Sequence, residues 1–324
     1  MASLREVLYY ICLVGLFIFS AFRYHVGCDW SGYLNIFQIS ESKQITWQTK
    51  EAGFWIANQL LHYYELDYPY INVIAATFFF IGLHSLAKRQ PDPYGFLTLS
   101  FPILILNLPM SAIRQGIAVG FFCIACNAFV NRRLIGFVSP VLLGGLFHSS
   151  SLFLLILTPF VRGEYSIRRA ALGAAIALPG IYFFLTGNTF ESYSKMYVGT
   201  HVEAFGAAFR TGLLALTGGA FLFFLDNKWK EHSPSDHNLV KLGSYLMIFS
   251  FMLSIYSSVG GDRIGYYLVP IQLVILARLP LLIGGACSAP VASLPYAALG
   301  LVLVTWIRSS SLFELCFSQY QLWL

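Results

Sequence analysis

Apolar runs long enough to cross a bilayer recur from one end of this chain to the other, and lipid leaves a backbone few options. Where water cannot reach N–H and C=O groups, only helices and closed barrels satisfy them internally. Helices are expected here, because the runs are continuous rather than alternating in the ten-residue segments of a barrel. Composition agrees: 57% of residues are hydrophobic and 11% charged, with mean hydropathy +0.67, too apolar for one or two water-soluble domains. The sequence therefore predicts an all-α, polytopic membrane protein, a single integral domain over residues 1–324, with about 10–11 transmembrane helices.

Arg5 precedes the first apolar run, Val7 to Phe22, as in a signal peptide, but Phe22-Arg23-Tyr24 offers no small-residue cleavage site. An uncleaved first helix is expected. With a cytoplasmic N-terminus, it delivers residues of about 23–55 to the outer side. Within that segment, Glu51 to Tyr64 is apolar but carries Asn58, Gln59 and His62, which suits a helix lying at the interface. Spans follow over about 68–87, 94–108 and 112–130, placing Arg114 at the outer end of the third of these. The stretch 134–161 is interrupted by Pro140, Gly144-Gly145 and His148-Ser-Ser-Ser, and basic residues flank it on both sides. Two short helices meeting at His148 are expected, a break that lipid cannot solvate and that normally lines a cavity. After a span over about 170–185 comes a second outer segment, 186–209, with Glu191, Lys195, His201 and Glu203, and Arg210 follows it. A span to about Leu225 leads to a polar run, 226–241, read as a cytoplasmic loop. Two spans, 242–256 and 265–277, flank an outer loop at 257–263, and a last span over about 291–307 leaves Arg308 and the tail outside.

Charge tests this topology. The cytoplasmic side holds roughly 12 Lys or Arg against 6 Asp or Glu and the outer side roughly 8 against 9, the expected bias. The formal charge of +5 is then an orientation signal and implies no nucleic-acid partner. Six scattered cysteines suggest no disulfide framework, and Cys123 and Cys126, one turn apart in an apolar helix, read as packing.

Orientation does not account for the outer arginines Arg23, Arg114, Arg210, Arg263 and Arg308. Arginine stays charged and holds phosphate through a planar donor fork, so several at outer helix ends suit a lipid-linked diphosphate without a metal. The competing reading for each is a carboxylate partner or a snorkelling anchor. Asp262 and Arg263, adjacent on a helix, diverge and should each find a different partner. His148 suits a general base for a sugar hydroxyl, a hydrogen-bond donor to phosphate, or simple packing. Asp29 and Glu51 could bind sugar hydroxyls or serve as the base. Trp30, Tyr33, Trp47 and Trp55 offer sugar-stacking faces, although interfacial aromatic belts explain such residues equally well. Metal motifs, a Walker loop and a nucleophile elbow are absent from the sequence, so no cofactor is expected.

Taken together, Phe22-Arg-Tyr-His-Val-Gly-Cys-Asp-Trp-Ser-Gly-Tyr, Glu51-Ala-Gly-Phe, Ile113-Arg-Gln-Gly-Ile-Ala, Phe147-His-Ser-Ser-Ser-Leu and Asp262-Arg-Ile-Gly-Tyr-Tyr resemble the EpsG-like group of Wzy-type polysaccharide polymerases. The similarity runs to about Leu279, with Cys28 and Ala52 departing from the pattern. The resemblance implies a GT-C-like enzyme of the bacterial inner membrane that polymerises O-antigen or exopolysaccharide repeat units at the periplasmic face. Its substrate would be undecaprenyl-diphosphate-linked oligosaccharide, its protein partner a chain-length regulator, and it would need no nucleotide sugar. Carried onto this sequence, Arg114 and Arg263 would grip the donor diphosphate with help from Arg23. His148 would be base or phosphate ligand, Asp29 and Glu51 would activate or position the acceptor, and Trp30, Tyr33 and Tyr267 would bind its sugar. A lipid-linked oligosaccharide flippase is the alternative, although its ionisable groups should line a path through both membrane halves. A membrane acyltransferase would need a cytoplasmic acyl-CoA entrance that no residues suggest.

Overall fold

The structure, a computed structural model, describes residues 4–46, 48–185, 206–283 and 288–323. Trp47 and the part of the second outer segment carrying Glu191, Lys195, His201 and Glu203 lie outside the described residues. Helix dominates. Seven helices are long and apolar enough to cross a membrane, and three shorter apolar ones accompany them among the described residues. Large side chains such as Ile11, Ile81, Leu216, Phe223 and Met252 stay exposed on these helices, which suits lipid rather than water.

Contacts group the helices into two compact units, where hydropathy suggests one continuous domain. The first comprises residues 1–123, 146–148 and 285–324; the second, residues 124–145 and 149–284.

In the first unit, α1 (Leu4–Ala21) leads through a two-residue strand β1 (Arg23–Tyr24) into α2 (Trp30–Ser40), a helix the sequence reading did not anticipate. The helix expected after Glu51 is present as α3 (Ala52–Tyr63), followed by α4 (Tyr70–Ala87) and α5 (Pro93–Ser100). At Phe101–Ile105 the helix widens by one residue per turn beside Pro102, because proline cannot supply the regular donor. Next is α6 (Ile113–Val130), of which the part up to Cys123 belongs to this unit. Helices α4 and α6 meet backbone to backbone at two glycines: a Cβ on Gly82 would stand 2.0 Å from the Gly120 carbonyl oxygen, and one on Gly120 2.4 Å from that of Phe78. Small residues permit this approach in lipid, where packing rather than water expulsion holds helices together. Gly120→Leu is therefore expected to destabilise the protein by about 1–3 kcal/mol or more. Gly15→Leu, whose Cβ would meet nothing within 4 Å, should leave the thermal midpoint in detergent unchanged.

In the second unit, α7 (Leu134–Gly145) and a 3-10 helix (Ser149–Phe160) pack on each other, so the apolar stretch is broken at residues 146–148 as the glycines and His148 predict. Twelve residues is long for a 3-10 helix, which packs against α8 (Ile167–Leu185). Next, α9 (Ala207–Ala220) continues through a widened turn at Phe221–Leu225 into α10 (Asp226–His232). Then come α11 (His237–Tyr256) and α12 (Ser258–Leu282).

Two expected loops in this unit are helical. The run 226–241 is ordered by its own charges: Asp226 takes Lys241 and His237, while Asp236 takes Arg278 and the indole N–H of buried Trp229. The outer loop expected at 257–263 is instead the first turns of α12, started by the Ser257 hydroxyl, which accepts from the Gly260 N–H.

The chain ends in the first unit with α13 (Ser288–Ser309), α14 (Ser311–Phe317) and β2 (Gln321–Leu322), which pairs antiparallel with β1. Here a further expectation is corrected, because Cys28 and Cys316 form a disulfide across 288 positions of sequence. Linear spacing gave no sign of it. Only the folding of the tail onto β1 brings the two cysteines together, alongside the Gly27 N–H to Cys316 carbonyl bond of 2.8 Å.

Candidate functional site

Arg114 occupies the first turn of α6 between Ile113 and Ile117, both fully buried. There it forms an ion pair with Glu51, with side chains 26% and 15% exposed. The guanidinium carbon lies 5.5 Å from the Tyr33 ring centre and 5.7 Å from that of Phe54. Burial pushes the Tyr33 phenol above its ordinary range, Arg114 pulls it down, and Asp29 and Glu51 push it up, so all four groups share one local field.

Glu51 reaches Arg114 from an uncommon backbone. Its φ of 55° and ψ of 41° put a non-glycine residue in the left-handed region just before α3, a conformation costing about 1 kcal/mol or more. Two residues on, the Gly53 N–H donates to the Leu146 carbonyl at 2.9 Å, and a Cβ there would stand 3.0 Å from that oxygen. This close contact docks Leu146-Phe147-His148 on the start of α3. Phe147 stacks with Phe121 and packs near Phe78, while His148 is buried two residues from the Gly53 contact.

The turn before α6 is fixed from the outer segment. Arg23 is fully buried and donates from Nε to the carbonyls of Val26 and Met110, both at 3.0 Å, and from Nη1 to that of Ser20. Burial lowers its pKa to about 10, opposed by Tyr68, Tyr33, Tyr320 and Asp29, so it stays charged at neutral pH. Gly27, with φ of 101°, lies against the same Met110 carbonyl; a Cβ would fall 2.0 Å from it. Arg23 and Gly27 thus hold the turn from which Arg114 emerges.

Of the expected site residues, the first unit brings together Arg114, Glu51, Tyr33 and Asp29, with His148 on the stretch docked to α3. Asp29 is exposed at the start of α2. Trp30 and Tyr33 are buried in a cluster with Phe54, Tyr68, Ile71 and Ile113, so their faces are covered by neighbouring side chains. Trp55 is partly exposed, with the Lys43 ammonium 5.5 Å from its ring centre. An apolar cavity of about 530 Å³ lined by Leu16, Leu99, Phe101, Tyr296 and Leu303 includes none of the expected site residues.

Arg263 and Tyr267 belong to the second unit. Tyr267 is fully buried, its hydroxyl 3.1 Å from that of Ser150. Asp262 takes Arg210 in a two-pronged pair of 2.9 and 2.7 Å that ties α9 to α12, with Arg210 over the Tyr266 ring. Arg263, one residue on, is half-buried. Sequence reasoning anticipated separate partners for Asp262 and Arg263 but did not identify Arg210, because the pair is 52 residues apart and no local spacing marks it.

The arrangement is a guanidinium held among aromatic rings, answered by a carboxylate on a strained backbone, with a histidine close by in the chain docked there. Comparison with protein families settles the kinship: the model described as EpsG family matches residues 6–322, nearly the whole chain. The chain belongs to the EpsG family. Comparison with curated proteins and with solved structures gives no significant match. Together with its seven long apolar helices, EpsG membership makes this a multi-pass membrane protein and supports a function of the polysaccharide-polymerase type.

Proposed function

We propose that this EpsG-family chain is a lipid-diphosphate-dependent, GT-C-like glycosyltransferase. It moves a growing glycan from undecaprenyl diphosphate to the terminal sugar hydroxyl of an incoming lipid-linked repeat unit. The observation that carries the reading is Arg114, a guanidinium at the start of an apolar helix, flanked by Tyr33 and Phe54 and paired with Glu51, in a unit that also contains His148 and Asp29. Such a donor fork stabilises charge that grows on the departing diphosphate. Interactions of this kind act in the transition state and need no metal or nucleotide.

In the transfer, the acceptor hydroxyl loses its proton to a base and its oxygen bonds the anomeric carbon. The bond from that carbon to the phosphate oxygen breaks, and the electron pair leaves with the diphosphate. Glu51, Asp29 and His148 are the proposed groups for the acceptor side. Arg23 enters as a positioning residue, because its N–H groups hold backbone carbonyls. Trp30, Tyr33 and Tyr267, buried in this structure, enter as supports of their surroundings. Arg263 is a proposed contributor whose role is read from its own substitution.

The disulfide supports the orientation. Disulfides persist in oxidising compartments, so Cys28 and Cys316 suit the periplasmic side of an inner membrane. The Met110 turn, held by Arg23 and Gly27, puts the start of α6 near the Cys28 segment. A chain-length regulator is the proposed protein partner.

Deleting the gene in its native cell tests the reaction type. The expected result is surface glycan capped at a single repeat unit. Loss of all surface glycan, with lipid-linked units retained inside, would instead indicate a flippase.

A further inference from the structure

We infer that Glu51 is a resident counter-anion that occupies the Arg114 seat until a diphosphate displaces it, so that donor binding is what releases the Glu51 carboxylate. This rests on the reading of Arg114 as a diphosphate ligand and adds an order of events to it.

Three features point to an exchangeable pair rather than a fixed strut. First, both side chains keep some exposure, 26% for Arg114 and 15% for Glu51, so a phosphate oxygen has a way in. Second, the guanidinium is already oriented without Glu51. Ile113 and Ile117 fix the helix turn, and Tyr33 and Phe54 flank the cation at 5.5 and 5.7 Å. A diphosphate would therefore find the donor fork in place. Third, Glu51 sits in the left-handed region before α3, at a φ of 55°. The strained backbone that brings its carboxylate to Arg114 lies two residues before the Gly53 N–H to Leu146 carbonyl bond. Leaving Arg114 allows that strain to relax. The Arg210–Asp262 pair of the second unit, similarly exposed at 19% and 14%, differs in its backbone, because neither residue has positive φ.

Two consequences follow for the chemistry. An empty site presents no bare cation, which avoids a buried unpaired charge between turnovers. While Glu51 is paired, Arg114 neutralises part of its charge, and the carboxylate becomes free to take the proton of the acceptor hydroxyl once the donor diphosphate has taken Arg114. Proton transfer therefore follows donor binding. The exchange needs only a diphosphate group, whether lipid-borne or free.

The test measures binding of farnesyl diphosphate, and separately of inorganic pyrophosphate, to the purified full-length chain in detergent. Glu51→Gln keeps the side-chain shape and removes the competing charge. It is expected to bind farnesyl diphosphate about tenfold more tightly or better, while polymer formation is lost. A merely structural role for Glu51 would not tighten binding. Equal or weaker binding by Glu51→Gln overturns the inference. Should that variant not fold, Glu51→Asp, retracted by one methylene, must also bind more tightly than wild type, and failure to do so overturns it equally. Arg114→Ala separates the two levels: unchanged affinity in that variant would overturn the reading of Arg114 itself. Loss of affinity there with no tightening in Glu51→Gln would overturn only the exchange. Tightening for farnesyl diphosphate alone identifies a lipid-borne ligand, whereas equal tightening for pyrophosphate identifies recognition of the head group only.

Discussion

Arg114→Ala is expected to abolish polymer formation, by at least about 10²–10³-fold, the loss typical when one preorganised donor to a developing anion is removed. Arg114 contributes a fork whose direction is set by a buried helix turn and two aromatic rings, so little reorganises as charge develops on the leaving diphosphate. Arg114→Lys should recover only a fraction, because an ammonium is a point charge and cannot hold two oxygens in one plane. Folding must be separated from function, since removing Arg114 leaves Glu51 without its cation. For a fully buried pair that costs about 3–5 kcal/mol, and less here because both side chains are partly exposed. Arg114→Ala combined with Glu51→Gln should regain stability and remain inactive. Polymer of normal length from cells carrying Arg114→Ala, with the protein inserted at wild-type levels, would contradict the assignment.

The second large effect concerns the tail. Cys316→Ser is expected to lower stability by about 2–3 kcal/mol, below the nearly 6 that chain entropy alone would give for so long a loop. The reduction has a physical cause: helices that remain inserted keep the unfolded chain from exploring the space a soluble chain would. Without the bond, the tail is held to the outer segment by two β pairs, by Trp323 N–H to Phe22, by Tyr320 to the Phe19 carbonyl, and by packing of Val26 and Met110 against Phe317. Loosening it disturbs the contact between Gly27 and Met110 and so the turn before Arg114. Thermal unfolding in detergent checks this. The wild-type midpoint should fall in a phosphine reductant to that of Cys316→Ser, and the variant should not respond. A wild type indifferent to reduction would show that the bond has no structural role.

Much of the helical pattern was legible, because hydropathy alone reports where lipid forces a backbone to satisfy itself. The first helix, helix α3 and the break at 146–148 follow from residues that are locally decisive: the apolar run from Val7, Asn58 and His62 within an apolar stretch, and Gly144-Gly145 beside His148. Where the reading failed, the deciding interactions are distant in sequence. The polar run 226–241 looks like a loop until Lys241 and Arg278 neutralise Asp226 and Asp236. The Cys28–Cys316 bond depends on how the two ends of the chain meet. Among candidate residues, Arg114 and Glu51 were each conspicuous, yet their pairing across 63 positions was not, nor was the left-handed backbone that delivers the carboxylate. Arg23 stood out as an unexplained outer cation, and only its three carbonyl acceptors reveal that it shapes the Met110 turn.

The central claim is that this chain lengthens a glycan using a lipid diphosphate as leaving group. The most direct measurement incubates the purified protein in detergent with undecaprenyl-diphosphate-linked repeat units, in the presence of a metal chelator and without any nucleotide sugar. The account predicts a ladder of lipid-linked products rising by one repeat unit per step, with undecaprenyl diphosphate released in equal number. Lipid-linked units recovered unchanged, from protein that is folded and binds them, would contradict it.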